Sequence, residues 1–188
     1  MKDKAIFVCF LFSFFCWVIP FIVRLFFIDV PEIEAQYISQ LPKNEKSDEI
    51  IQHLLNENNQ EAFVEIFKNN IKGCILNIVG GITLGLGTLI NVLYNGFFIA
   101  GVFVSISKSG VSLANIIKVT LPHSFELIGF WLSGGIGFYI AWQIISFIRG
   151  KKISVFMTLK KIVFNFIIIF LIILIAAYVE AYISIKQL

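Results

Sequence analysis

The sequence predicts an all-α fold, a bundle of helices that crosses a membrane several times. Of its 188 residues, 58% are hydrophobic and only 14% are charged, and the mean hydropathy is +0.88. Several apolar runs are long enough to span a hydrocarbon core of roughly 30 Å at about 1.5 Å per helical residue. We therefore expect one polytopic membrane domain over residues 1–188, with five transmembrane helices and short interfacial helices in an outer loop.

The first span is expected at residues 5–28, behind a short basic start. Pro20 should kink this helix, and Arg24 should extend its side chain toward the far interface. A cleaved signal peptide is the alternative, but no small-residue cleavage site follows the run. The pattern favours an uncleaved anchor.

A polar outer loop is expected at residues 29–72, which carry nine acidic residues against four lysines. Ser47 is a suitable N-cap for one short helix. A second amphipathic pattern runs through residues 62–67. Both patterns indicate short helices that lie on the membrane surface.

The second and third spans are expected at residues 74–92 and 94–107. The third is short, so a re-entrant loop is the alternative there. The second contains a GxxxG spacing at Gly81 and Gly85, which in lipid permits close approach of helices. Glycines of these spans and of the fourth span are therefore expected at helix contacts: Gly80, Gly81, Gly85, Gly87, Gly96, Gly101, Gly134 and Gly137.

The fourth and fifth spans are expected at residues 126–148 and 162–183. Between them, residues 149–161 carry five basic residues and no acidic one. Basic loops mark the cytoplasmic side of a membrane protein. This distribution predicts a cytoplasmic N-terminus, an extracytoplasmic loop at 29–72 and an extracytoplasmic C-terminus.

Polar residues are expected to gather at the outer ends of these spans. Pro122 suits the first turn of a helix, and His123 and Glu126 then lie three residues apart on one face. The predicted topology brings them to the same side as Asn69, Asn70 and Glu180. Buried carboxylates need partners, so this polar cluster is either a small functional site or a set of interfacial groups bonded to helix ends and water.

The sequence assigns no catalytic residue, no metal site and no cofactor. An HxxE spacing with Glu180 could in principle supply zinc ligands, but it occurs often by chance and no HExxH is present. Cys9, Cys16 and Cys74 lie in or at the edge of apolar segments and behave as small hydrophobic residues.

Short patches of this sequence resemble the stage II sporulation protein M family of small, multi-span bacterial membrane proteins. The patches lie within residues 63–184. Ser124 departs from the family, which usually has glycine after the histidine. The matching residues are Phe67-Lys68-Asn69-Asn70, Asn95-Gly96 with Gly101, Leu121-Pro122-His123 with Glu126, and Val179-Glu180-Ala181.

The resemblance implies a non-enzymatic scaffold in the bacterial cell membrane, because the founding member assembles with a peptidoglycan hydrolase pair. The alternative within the family is a component of circular-bacteriocin export and immunity that works with an ABC transporter. A rival of another class is an intramembrane metal-dependent hydrolase. Expected partners are membrane lipid and other membrane proteins, with a second copy of the chain as an alternative and with no nucleic acid.

Overall fold

The computed structural model describes residues 2–28, 58–108 and 113–184. Throughout these ranges the ordered elements are helices, and no strand is present. The helices are α1 (Lys2–Phe27), α2 (Asn59–Gly80), α3 (Leu86–Lys108), α4 (Leu113–Ile148) and α5 (Val155–Val179). A short 3-10 turn, Gly81–Thr83, joins α2 to α3, and a wider π-helical turn, Glu180–Ser184, ends α5.

Helix α4 lies at the centre of the bundle and contacts the four other helices. Helices α1 and α3 pack together on one side of it, and α5 packs on α2 and α4 on the other side. Each helix runs antiparallel to the one before it. The N-terminus of α1 and the loop between α4 and α5 therefore lie at one end, here called the basic end, and the opposite end is the distal end.

Four helical segments are long and apolar enough to cross a membrane by length and composition. They are Lys4–Phe27, Leu86–Ser105, Phe125–Ile148 and Val155–Tyr182. The chain is therefore a multi-pass membrane protein. Helix α2 is not among these segments, because its first half carries charged residues, although it packs between α4 and α5.

The first span lies where the sequence predicts it, but Arg24 does not extend toward an interface. Its side chain is 6% exposed. The guanidinium carbon lies 4.7 Å from the centre of the Phe97 ring of α3. A cation over an aromatic face is attracted to the ring electrons, and this contact places the charge between two helices.

The second and third predicted spans, at residues 74–92 and 94–107, are wrong in their boundaries. Helix α2 ends at Gly80, and the chain reverses through a turn in which Leu84 and Gly85 have φ angles of 56° and 87°. Such left-handed angles terminate a helix. The stretch from Gly81 to Gly85 thus forms the turn of a helical hairpin, and α3 is a continuous helix of 23 residues.

The polar region is also shorter than predicted. The amphipathic pattern at residues 62–67 is not a separate surface helix but the first half of α2, and Ala62 and Ile66 are buried against Ala177 and Ala181. The helix predicted after Ser47 lies outside the described residues.

Helix α4 begins earlier than predicted. Its 36 residues start at Leu113, so Pro122 lies well inside the helix and not in its first turn. Residues 113–122, which precede the predicted fourth span, are helical as well. At about 1.5 Å per residue, α4 is about 54 Å long, which exceeds the roughly 30 Å of a bilayer core.

Candidate functional site

The polar site begins near the distal end with a contact between two residues of the predicted polar cluster. The side-chain amide of Asn70 on α2 donates a hydrogen bond to Oε1 of Glu126 on α4. Both side chains are half-buried. This outer pair joins two helices that run parallel, and it gives the Glu126 carboxylate a donor inside the bundle.

The other residues of the predicted polar cluster occupy different positions. Asn69 is exposed on α2. Glu180 is half-buried in the last turn of α5, next to Ala181, which packs on α2. His123 lies in the helical backbone of α4, one turn before Glu126, and its side chain is outside the described residues. The meeting of His123, Glu126 and Glu180 stays a prediction.

A second polar group lies deeper, and the sequence analysis missed it. Asn77 of α2 is fully buried. Its side-chain amide donates to Oγ of Ser133 at 3.0 Å and to the carbonyl of Phe130 at 3.2 Å, both on α4. Its side-chain carbonyl accepts from Asn91 of α3 at 2.8 Å. One side chain therefore joins three helices.

Thr88 of α3 completes this group, because its hydroxyl donates to the backbone carbonyl of Asn77 at 2.7 Å. We call Asn77, Thr88, Asn91 and Ser133 the polar hub. Ser133 lies seven residues beyond Glu126, so the hub is about 10 Å farther from the distal end than the outer pair. Polar side chains inside apolar spans usually face the bundle interior, and that signal in the sequence could have located the hub.

Close backbone contacts surround the hub. A side chain at Gly137 would overlap the Asn77 carbonyl and the Thr88 side chain, and one at Gly81 would overlap the backbone of Gly137. Gly80 likewise lies against Gly87 and Thr88. The helices can exchange hydrogen bonds here because no side chain separates them.

The same arrangement joins α1 to its neighbours. Gly96 lies against the backbone of Trp17, and the indole N–H of Trp17 donates to Oδ1 of Asn95 at 3.1 Å. Gly134 lies against Ser13 of α1. The remaining two glycines differ, since Gly101 faces the Arg24 side chain with more room and Gly85 forms the hairpin turn.

The chemistry of the hub is that of neutral amides and hydroxyls in the interior of the bundle. These groups hold helices at fixed positions, but they are weak acids and bases. Among the described residues, no group of three or more histidine, cysteine, aspartate or glutamate side chains is placed to hold a metal ion. The outer pair is the one place among the hydrogen bonds between helices described above where a carboxylate takes part.

Comparison with known proteins gives a consistent result. A family model described as stage II sporulation protein M matches residues 5–185, which is nearly the whole chain. This match confirms the resemblance and extends it to α1. An uncharacterised protein of Methanocaldococcus jannaschii is 34% identical over 132 residues, which cover 69% of this chain and 74% of that protein. No solved structure matches the chain.

Proposed function

Because the chain belongs to the stage II sporulation protein M family, we propose that it is a non-enzymatic membrane scaffold, a subunit that binds and positions other membrane proteins. The observation that carries this proposal is a helical platform at the distal end. We define the distal platform as residues 59–72 of α2 and 113–124 of α4.

The platform extends past the apolar part of the bundle. The apolar segment of α4 is Phe125–Ile148, so the 12 residues before it add about 18 Å of helix at the distal end. In the α2 part of the platform, residues 59–72, the exposed polar side chains include Glu61, Lys68, Asn69 and Lys72. A rigid helix with exposed polar residues of both signs is suited to recognising the polar surface of another protein.

The interior supports the same proposal. The amide of Asn77 uses both its donor and its acceptor side to hold α3 and α4. The glycines at the hub contact backbone of the same chain. The polar hub is thus accounted for by folding, and the exposed polar residues of α2 at the distal end form a surface that would meet a partner.

The basic loop gives the proposed orientation. Lys4, Arg149, Lys151 and Lys152 are exposed at the basic end, and basic residues remain on the cytoplasmic side. The distal platform and the C-terminus would then be extracytoplasmic. In that orientation α2 and α3 would enter the membrane from the extracytoplasmic side and return to it, with the tip of their hairpin near the cytoplasmic side. A cell-wall hydrolase complex, which the family resemblance implies, is the partner class that we favour over transporter subunits.

A photo-crosslinking residue in the distal platform tests the proposal. Placed at the exposed Asn69, benzoylphenylalanine should give a discrete adduct with one membrane or cell-wall protein in the native cell. Ile167 of α5, which is 53% exposed on an apolar helix, is the matched control and should label lipid. Equal, diffuse labelling at both positions would contradict a platform for partners.

A second experiment separates scaffold from enzyme. We expect the purified parent protein to show no hydrolytic turnover. The variants His123→Gln and Glu126→Gln should therefore show none either. If a variant remains assembled with its partner yet loses a measurable turnover, the protein is an enzyme and the scaffold proposal is wrong.

A further inference from the structure

The hairpin between α2 and α3 ends well inside the bundle. Its tip, residues 81–86, contacts α4 at Gly137 and Ala141. Helix α4 continues from these positions to Ile148, which adds about 10 to 16 Å toward the basic end. The tip therefore stops short of the level that α4 reaches, and space is left below it between α1 and α4.

The side chains and hydrogen bonds of the tip suit a position in the hydrocarbon core of a membrane. Its hydrophobic side chains are exposed, with Ile82 at 64%, Leu84 at 51% and Leu86 at 63%. The hydroxyl of Thr83 donates to the Gly80 carbonyl at 2.7 Å and accepts from the Gly87 N–H at 2.9 Å. Backbone groups in lipid must find partners within the protein, and Thr83 supplies them at the turn.

A pocket of about 350 Å³ lies directly below this tip. Its walls are apolar and come from α1, the tip and α4. The wall residues include Val8, Phe12, Leu84, Leu86, Phe138 and Trp142. Several of them are exposed, with Val8 at 60% and Trp142 at 44%, so the pocket opens to the surrounding membrane.

Cations lie at the mouth of this pocket. Lys151 is exposed, and its ammonium group lies 6.0 Å from the centre of the Trp142 ring. Lys4 is one helical turn before Val8 on the same face of α1, and Arg149 is one turn beyond the wall residue Ile145 on α4. The two pocket walls formed by α1 and α4 therefore end in basic residues, which lie one helical turn beyond the wall residues.

We propose that this pocket binds an anionic phospholipid from the leaflet at the basic end. One acyl chain fills the apolar space under the hairpin tip, and the phosphate lies among Lys4, Arg149 and Lys151. The apolar walls alone would accept any acyl chain. The three cations select a negatively charged headgroup, as basic pockets between helices at the cytoplasmic side of a membrane do. This inference stands independently of the scaffold proposal.

Native mass spectrometry of the purified full-length chain tests the site with two lipids of equal acyl chains. Dioleoyl phosphatidylglycerol should be retained as one tightly bound molecule, and dioleoyl phosphatidylcholine should bind more weakly. The double variant Lys4→Gln, Lys151→Gln should weaken binding of phosphatidylglycerol about 25-fold, from about fivefold for each lysine near an anionic surface. Lys160→Gln removes a charge from exposed α5 sequence at the same end and should leave binding unchanged.

A second pair of variants tests the acyl-chain part of the site. Val8→Trp narrows the pocket and should reduce retention of phosphatidylglycerol at least fivefold. Phe7→Trp is the control, since Phe7 is also 60% exposed but does not line the pocket. Circular dichroism and gel filtration establish that all variants are folded.

Three results would overturn the proposal. The first is equal binding of both lipids with no response to the lysine variants. The second is the same loss from Lys160→Gln or Phe7→Trp as from the corresponding pocket variants. The third is displacement of the lipid by glycerol phosphate, which has no acyl chain, at equal concentration.

Discussion

Two seams hold this bundle together in different ways. The polar seam joins α2, α3 and α4 through the hub and its glycines. The apolar seam joins α5 to α2 and α4 through Cys74, Ile136, Ile169 and Ile173, all at most 1% exposed. Both seams pack helices that lie in one membrane domain, yet one uses side-chain hydrogen bonds between closely spaced helices and the other consists mainly of packed apolar side chains.

The two seams differ more in how they fix the register of the helices, which is the position of one helix along its neighbour, than in the stability they contribute. The offset between bonded residues of α2 and α4 is 56 for Asn70 with Glu126 and again 56 for Asn77 with Ser133. A hydrogen bond has one correct partner, whereas aliphatic side chains can repack after a small shift. The polar seam therefore fixes how α2 is placed along α4, and the apolar seam adds stability to that placement.

The largest loss of stability is expected when a side chain is added where the helices of the polar seam lie closest together. Gly137→Ala would place a methyl group against the Asn77 carbonyl and the Thr88 side chain. Backbone atoms cannot move aside as a flexible side chain does, so we expect a loss of about 3 kcal/mol or more. Denaturation of the detergent-solubilised protein by SDS measures this change.

The control is Gly73→Ala on the same seam. There a methyl group would meet only ring carbons of Phe130, the nearest at 3.6 Å. Alanine also favours a helix over glycine by about 1 kcal/mol. Unchanged or higher stability is expected, and equal damage from both variants would mean that close approach at Gly137 is not what the seam requires.

The next prediction compares the seams directly. Ile173→Ala removes a side chain that is 1% exposed and should cost about 3 kcal/mol through the cavity it leaves. Asn77→Ala loses three hydrogen bonds of about 0.6 kcal/mol each in a membrane protein, or about 2 kcal/mol. Unfolding free energies from SDS titration give both values.

The two variants should also differ in the register of α2 along α4. A cysteine pair placed at Gly73 of α2 and Phe130 of α4, where a side chain at Gly73 would lie beside the Phe130 ring, should crosslink less uniformly in Asn77→Ala than in Ile173→Ala, because the polar seam sets the placement of α2. If Ile173→Ala disturbs the crosslinking pattern more, the assignment of register to the hub is wrong.

Hydropathy was enough to predict the helical membrane fold, because four of the helices are continuous apolar runs. It failed at the hairpin, where the turn consists of apolar residues and Leu84 adopts a left-handed conformation that sequence rules reserve for glycine or asparagine. Glycine pairs can mark a turn, but the glycines of residues 74–92 also fit close packing of helices in lipid, so they did not identify the reversal. The tertiary contacts of Gly81 with α4 determine it.

The candidate site was predicted in the same uneven way. Asn70 and Glu126 were expected at one end of the bundle, and the structure joins them. The hub was missed because Asn77, Thr88 and Ser133 are isolated polar residues within apolar runs. Their relation depends on the offset between helices, which no local pattern specifies.

A smaller effect is expected at the distal end of the polar seam. Asn70→Ala removes the donor to the half-buried Glu126 and should lower stability by about 1.5 kcal/mol, as expected for a hydrogen bond to a charged group. The neighbouring Asn69 is exposed, so Asn69→Ala should stay within about 0.5 kcal/mol of the parent. Thermal unfolding of the two variants side by side is the measurement, and a reversed order would show that the outer pair does not stabilise the contact between α2 and α4.

The smallest loss of stability is expected one turn closer to the distal end of α2, where the Lys68 ammonium group lies 2.9 Å from the Glu65 carboxylate. Their side chains are 64% and 28% exposed, and they lie three residues apart on one helix. Such a pair contributes about 0.2 to 0.5 kcal/mol, and salt screens it. Lys68→Gln should therefore lower stability by no more than that at low salt and by nothing measurable at 1 M salt, where the Debye length is about 3 Å. A cost equal to that of Asn70→Ala, unchanged by salt, would mean that this part of the distal platform is covered in the protein as purified, and that the polar seam extends farther along α2 than Asn70.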